Sequence, residues 1–133
     1  MISIVGIDHV VLRTANPDAM LHFYCQVLAC KLERQLPAIG LIQLRAGSSL
    51  IDLVALESEL GRLGGKAPDQ NGRNMDHLCL LIEKVDEQAL LSYLLDKGIA
   101  AQGFAQRYGA EGFGPSIYIV DPEGNTVELK LSK

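Results

Sequence analysis

Two short stretches of the chain carry residues that can do chemistry. "GIDHVVLR" (residues 6–13) sets His9 into an apolar run, and "NMDHLCLL" (residues 74–81) repeats the arrangement with His77. Two acids stand in comparably apolar surroundings, Asp52 in "LIDLV" and Glu128 in "TVELK". A half-buried strand should carry an aliphatic side chain at such positions. A buried carboxylate is costly unless a cation or hydrogen-bond donor meets it, or unless it faces solvent. Imidazole with carboxylate is the donor composition of divalent metal sites that leave positions open for water or substrate. Taken singly, a strand histidine is more often structural and a strand acid more often solvated. The coincidence of all these residues, in register with a repeat, points to a metal.

The repeat is legible in the elements that must position them. Ile4 to Arg13 is strand-like; Asn16 then suits an N-cap and Pro17 a first helical position. Met20, Phe23, Tyr24, Val27 and Leu28 recur at helical spacing. "KLERQLP", "GLIQLRAG" and "SLIDLVAL" follow as short strands divided by Pro, Gly and Ser, completing a βαβββ module over about residues 1–57. A polar, Gly-rich connector, residues 58–73, leads to a second module over about 74–133. There "MDHLCLLIE" reads as a strand and "VDEQALLSYLLDKG" as a helix capped by Asp86 and stopped by Gly98. "AAQGFAQRYG", "PSIYIVD" and "NTVELKLSK" follow, the last two joined by a "DPEGN" turn. Either module alone would bury too little core, so they should share one. The expectation is a single α+β domain over residues 1–133, its two modules forming an open, partly closed sheet barrel around a metal cleft. In a strand, residues two apart share a face, so His9 should lie with Val11 and Arg13, and His77 with Cys79 and Leu81. Asp8 and Asp76 should point away, capping turns or meeting solvent.

Bulk properties narrow the partners. A chain of 133 residues, 48% hydrophobic, suits one globular domain. A net charge of −4 without a basic cluster argues against nucleic acid and anionic membrane. No apolar run reaches the length of a membrane span, and the N-terminus lacks a signal-peptide pattern, so a cytoplasmic protein is expected. Cys25, Cys30 and Cys79 are odd in number and lack CxxC spacing; buried free thiols in a reducing compartment are expected. His22 reads as a surface residue of the first helix. No nucleophile elbow is present for Ser-His-Asp chemistry.

Through "DHVVL", "FYCQVLAC", "DHLCL" and "DPEGNTVEL", the chain resembles the vicinal oxygen chelate superfamily along essentially its whole length. That superfamily contains glyoxalase I, fosfomycin-resistance enzymes, methylmalonyl-CoA epimerase, extradiol dioxygenases and bleomycin-binding proteins. The resemblance implies metal ligands on the first and last strands of each module, which here are His9, Asp52, His77 and Glu128. It implies one divalent ion per site (Ni, Zn, Mn, Co or Fe), with Glu128 also the catalytic base, and a homodimer. Arg13 has the His-x-x-x-Arg spacing of glyoxalase I, which would make it a substrate anchor. Tyr108 and Tyr118, in "YGAEGFGPSIYIVD", would line the pocket. Two positions depart from the family. Ala29 stands where a Gly is common after the helix, which should alter only the helix stop. Asp52 replaces a Glu of glyoxalase I, shortening the reach by one C–C bond, about 1.5 Å.

The function implied is a metal-dependent, glyoxalase-like lyase or isomerase acting on a small carbonyl or glutathione-hemithioacetal substrate. If Asp52 fell short of the metal, His9, His77 and Glu128 would leave the ligand set of an Fe(II)-dependent dioxygenase. A metal-free small-molecule-binding or resistance protein is the third reading, and belongs to a different class.

Overall fold

In a computed structural model of residues 1–133, the strand and helix signals resolve into two four-stranded mixed sheets, built by the same order of elements. The first unit, Met1–Asn74, contains β1 (His9–Thr14), α1 (Pro17–His22), β2 (Lys31–Leu36), β3 (Leu41–Ala46), β4 (Ser49–Ala55) and the short α2 (Glu59–Leu63). The second, Met75–Lys133, contains β5 (His77–Ile82), α3 (Glu87–Asp96), β6 (Ala105–Gly109), β7 (Gly112–Val120) and β8 (Thr126–Leu131). Strand orders are β1-β4-β3-β2 and β5-β8-β7-β6, with β1 parallel to β4 and β5 parallel to β8. A parallel pair needs a crossover, and the helix of each module belongs to it. Neither sheet closes on itself. The α+β architecture of two βαβββ modules is as expected.

Local sequence accounts for the helix boundaries. The Asn16 side chain accepts a hydrogen bond from the Ala19 N–H at 3.2 Å, with Pro17 opening the helix, and Asp86 caps α3 by accepting from the Ala89 N–H at 2.9 Å. Gly98 ends α3 at φ +76°. Beyond α1 the chain widens into a π-turn over Phe23–Val27, where the Leu28 N–H donates to the Phe23 carbonyl at 3.1 Å. It then stops at Ala29, whose φ is +59°. That is the left-handed conformation a Gly would adopt freely, and a Cβ there costs about 1–2 kcal/mol.

Strand alternation divides each sheet into a covered and an uncovered face. Leu12, Leu44, Ile51 and Leu53 are buried with Met20, Phe23 and Tyr24 of the helical segment, and α1 lies against β4. In the second unit Ile117, Ile119, Val127, Leu129 and Leu131 are buried, and Leu94 anchors α3. The opposite faces carry the histidines and acids, and there Val11, Leu81 and Val120 are each about half exposed, at 50%, 53% and 54%. The "DPEGN" turn is built on one side chain. Asp121 Oδ1 accepts from the N–H groups of Glu123 and Asn125, and Oδ2 from the Asn125 amide. This turn sets the β7/β8 register.

Several expectations are corrected. The first strand begins at His9, not near Ile4, because Met1–Ile7 finds no partner strand; Ile2, Ile4, Val5 and Ile7 remain exposed despite their β-propensity. The connector contains α2, capped by the Ser58 hydroxyl accepting from the Gly61 N–H at 3.0 Å, and it belongs to the first unit. Cys30 is buried, but Cys25 is half-buried and Cys79 exposed, since Cys79 falls on the uncovered face of β5; all are free thiols. No helix is long and apolar enough to cross a membrane.

Replacing Ala29 by Gly relieves the left-handed strain against a modest gain in unfolded-chain entropy. A stabilisation of about 0.5–1 kcal/mol is expected, read as a higher urea midpoint with an unchanged slope.

Candidate functional site

The two units place their chemistry by the same register. On β4, Leu50 sits opposite His9 and Asp52 is two residues further along the same face. On β8, Thr126 sits opposite His77 and Glu128 is two residues further. Each histidine therefore lies diagonal to an acid on the adjacent parallel strand. In the second unit this brings His77 Nε2 within 3.3 Å of Glu128 Oε2. In the first, the Asp52 charge acts on His9.

Both imidazoles are held from behind. His9 Nδ1 lies 2.6 Å from Asp8 Oδ1, and His77 Nδ1 lies 2.6 Å from Asp76 Oδ1. The aspartates meet solvent as expected, their side chains 91% and 96% exposed, but each turns one oxygen onto the neighbouring imidazole instead of away from it. Alternation binds only residues within the ladder, and Asp8 and Asp76 each precede the first ladder residue of their strand. An ionised carboxylate only accepts hydrogen bonds, so the proton belongs on Nδ1 and the Nε2 lone pair is left outward. Metal-bound histidines are oriented by carboxylates in the same way. The hydrogen bond to Asp8 is the largest cause of a raised His9 pKa, with the charges of Asp52 and Asp8 adding to it against an opposing desolvation.

The carboxylates are half satisfied. Asp52 is 4% exposed; its Oδ2 accepts from Gln43 Nε2 at 3.1 Å, while Oδ1 is buried with no partner. Glu128 is 6% exposed; its Oε1 accepts from the Ser116 hydroxyl at 2.5 Å, while Oε2 faces the His77 ring nitrogen. An unpartnered buried acceptor carries a desolvation penalty of about 1–3 kcal/mol, more when charged. Two lone pairs facing one another, as at His77 and Glu128, call for a proton or cation between them. Each unit thus offers one imidazole nitrogen and one carboxylate oxygen with the donor chemistry of a divalent metal. Within neither unit do three His, Cys, Asp or Glu side chains gather as a complete set.

The other candidates fall as follows. Arg13 donates to the connector, Nη1 to the Gly65 carbonyl at 3.1 Å and Nη2 to the Lys66 carbonyl at 2.9 Å. Gly64 makes room for it, since a Cβ there would stand 2.4 Å from Nη1. Tyr118 meets His77 edge-to-face with ring centres 5.7 Å apart, and the Arg107 guanidinium lies 4.2 Å from the Tyr118 ring centre. Tyr108 is 75% exposed and packs on Phe113. Cys79 sits beside Glu128 in the β5/β8 register, where desolvation, then the Glu128 charge and hydrogen bond, push its thiol up to about 11. In the metal-free chain at neutral pH the thiol is protonated and a poor nucleophile. His22 is exposed on the helix. Sequence reasoning missed Gln43, Ser116 and Arg107 as site residues. The available signal was the polar type of Gln43 and Ser116, each flanked by apolar residues on its strand.

With this geometry in place, comparison with known proteins is informative. Residues 6–129 match the family described as the Glyoxalase/Bleomycin resistance protein/Dioxygenase superfamily. Among solved structures, the chain is similar to an integron cassette protein from the mobile metagenome of V. cholerae, at 26% identity and a TM-score of 0.76, covering 100% of this chain and 99% of that one. It is also similar to a virulence protein of Salmonella typhimurium, at 27% identity and a TM-score of 0.73, covering 99% and 100% respectively. A lactoylglutathione lyase from Agrobacterium tumefaciens shares the fold at 19% identity and a TM-score of 0.65, covering 96% of this chain and 94% of that one. Among curated proteins, none matches the chain.

Because the Asp8 hydrogen bond exists only in the folded chain, the folded pKa of His9 lies above its ordinary 6.5. Its contribution to stability is complete below pH 6.5 and fades as the pH rises through the folded value. In metal-free protein, Asp8→Asn is expected to move the His9 titration downward, as followed by imidazole NMR shifts. An unchanged titration would show that Asp8 does not hold the ring.

Proposed function

The chain belongs to the glyoxalase/bleomycin resistance protein/dioxygenase superfamily, and from that premise we propose that it is a metal-dependent lyase or isomerase of the glyoxalase type acting on a small carbonyl substrate. The observation that carries the reading is the unpartnered, buried Oδ1 of Asp52, on a strand that also brings Asp52 diagonal to the Nε2-presenting His9. A buried charged oxygen without a donor is an expensive feature that a bound cation makes favourable. Superfamily members generally hold a divalent metal, and His9, Asp52, His77 and Glu128 would be its donors here. Two donors per unit are fewer than such an ion takes; a homodimer belongs to the same reading. Bound there, the ion supplies Lewis-acid polarisation of substrate oxygens.

Glu128 is the base in this reading. Ser116 fixes Oε1, leaving Oε2 at the uncovered face to take a proton from the carbon beside a carbonyl and return it to the neighbouring carbon. Tyr118 supplies the aromatic contact to substrate; Tyr108, expected beside it, pairs with Phe113 and so lies on the opposite face of the sheet from Glu128, because strand alternation separates odd from even positions of β7. Arg13, engaged by the connector carbonyls, positions that segment rather than the substrate, which weakens the particular argument for glutathione. The burial of Asp52 with one oxygen unclaimed favours a four-donor set over the three-donor set of an oxygenase. A cytoplasmic setting and a small-molecule substrate complete the proposal.

The test combines loading and turnover. Protein stripped by chelator and reloaded with Ni, Zn, Mn or anaerobic Fe(II) should take up near-stoichiometric metal by elemental analysis. It should then isomerise small 2-oxoaldehydes, free or as glutathione adducts. Glu128→Gln should lower turnover by about 10²–10⁴-fold. Undiminished turnover by that variant, or Fe(II)-dependent oxygen uptake in place of isomerisation, would overturn the assignment.

A further inference from the structure

Each carboxylate of the candidate site ends a chain of hydrogen bonds that begins at an arginine. In the first unit, Arg34 Nε donates to Gln43 Oε1 at 2.5 Å, and Gln43 Nε2 donates to Asp52 Oδ2 at 3.1 Å. In the second, Arg107 Nη1 donates to Ser116 Oγ at 2.9 Å, and that hydroxyl donates to Glu128 Oε1 at 2.5 Å. The middle residues differ in type and in place. Gln43 stands directly opposite Asp52, whereas Ser116 stands opposite Lys130, diagonal to Glu128. A short acid is met by a long amide, and a long acid by a short hydroxyl.

The arginine sets the direction of each chain. Guanidinium has donors only, so it occupies the acceptor end of the amide or hydroxyl and obliges the relay's own proton to face the carboxylate. Neutrality of the relay matters equally. An arginine pairing directly with a carboxylate commonly engages both oxygens through parallel hydrogen bonds, which would leave neither for an ion. One neutral group in between engages a single oxygen and leaves Asp52 Oδ1 and Glu128 Oε2 unclaimed by the relay. On β2 the arrangement requires a bulge: Leu32 pairs with Leu44, but Arg34 pairs with Gln43, so Glu33 is the extra residue. Without it Glu33 would stand opposite Gln43 and present an acceptor where the relay needs a donor. As built, Glu33 is taken by Arg45 through two hydrogen bonds of 3.0 Å.

We infer that Gln43 with Arg34, and Ser116 with Arg107, are positioning residues that hold one oxygen of each acid and aim the other at a divalent cation. The inference rests on the metal reading proposed above. It assigns to this chain two relays of matched direction and opposite length, a long amide behind the short acid and a short hydroxyl behind the long one.

The experiment is a Co(II) titration of the chelator-treated full chain, following the visible absorption of bound Co(II) and competition with a chromogenic chelator. Gln43→Met and Ser116→Ala should each weaken binding by about 10–100-fold and alter the Co(II) spectrum. Ser116→Thr, which keeps the hydroxyl, should restore both. Arg34→Met changes an exposed residue and tests the same relay without disturbing the core; it should shift affinity in the same direction by a smaller factor, because the Gln43 amide becomes free to flip. Unfolding curves of the metal-free variants confirm that folded protein is compared. Wild-type affinity and spectrum in Gln43→Met and Ser116→Ala would overturn the relays while leaving the metal reading standing. Wild-type protein that binds no Co(II) would overturn the metal reading and the relays together.

Discussion

Everything at the candidate site depends on holding two carboxyl groups nearly dry on a sheet face, each with one oxygen outside its relay. Asp52 and Glu128 are 4% and 6% exposed, a degree of burial at which a polar group without partners is costly. Each is met at one oxygen by a neutral donor that is itself held by an arginine, while Glu128 Oε2 also faces His77 Nε2 at 3.3 Å. The imidazoles follow the same rule from the other side: one nitrogen is held by the preceding aspartate and the other is left outward. Half-satisfaction is the common property of all these groups.

That property is only as good as the register. A shift of one residue in β1 against β4, or in β5 against β8, would turn each histidine to the helix-bearing side. The parallel pairs are set by the crossover through the helices. The β7/β8 pair is set by the Asp121-centred turn, and the β2/β3 pair is corrected by its bulge. The burial that stabilises each unit, Leu44 and Leu53 in one and Ile117 and Leu129 in the other, lies on the opposite face. Packing and chemistry are thereby kept on separate sides of the same strands.

The two units share this plan but have diverged in how they carry it out. The first unit pairs Asp with Gln and adds a connector that Arg13 clamps; the second pairs Glu with Ser and sets Tyr118 against His77. As a result Glu128 Oε2 lies 3.3 Å from an imidazole nitrogen, whereas Asp52 Oδ1 is buried with no partner.

Much of this was determined by the sequence alone. The βαβββ order, the Asn16 and Asp86 caps, the Gly98 stop and the identity of the four candidate donors follow from periodicity, capping chemistry and alternation, all of which act over a few residues. At Ala29 the sequence signalled only an altered helix stop; the left-handed backbone there emerged with the fold. Tertiary structure decided the rest. It turned Asp8 and Asp76 onto the histidines, drew Arg13 to the carbonyls of Gly65 and Lys66, left Met1–Ile7 without a partner strand, and placed Arg34 rather than Glu33 opposite Gln43. Each of these outcomes depends on a residue more distant along the chain, or on the point where a ladder begins. Such pairings are set by which backbone groups remain unpaired once the strands have met, and no local pattern of residues records that.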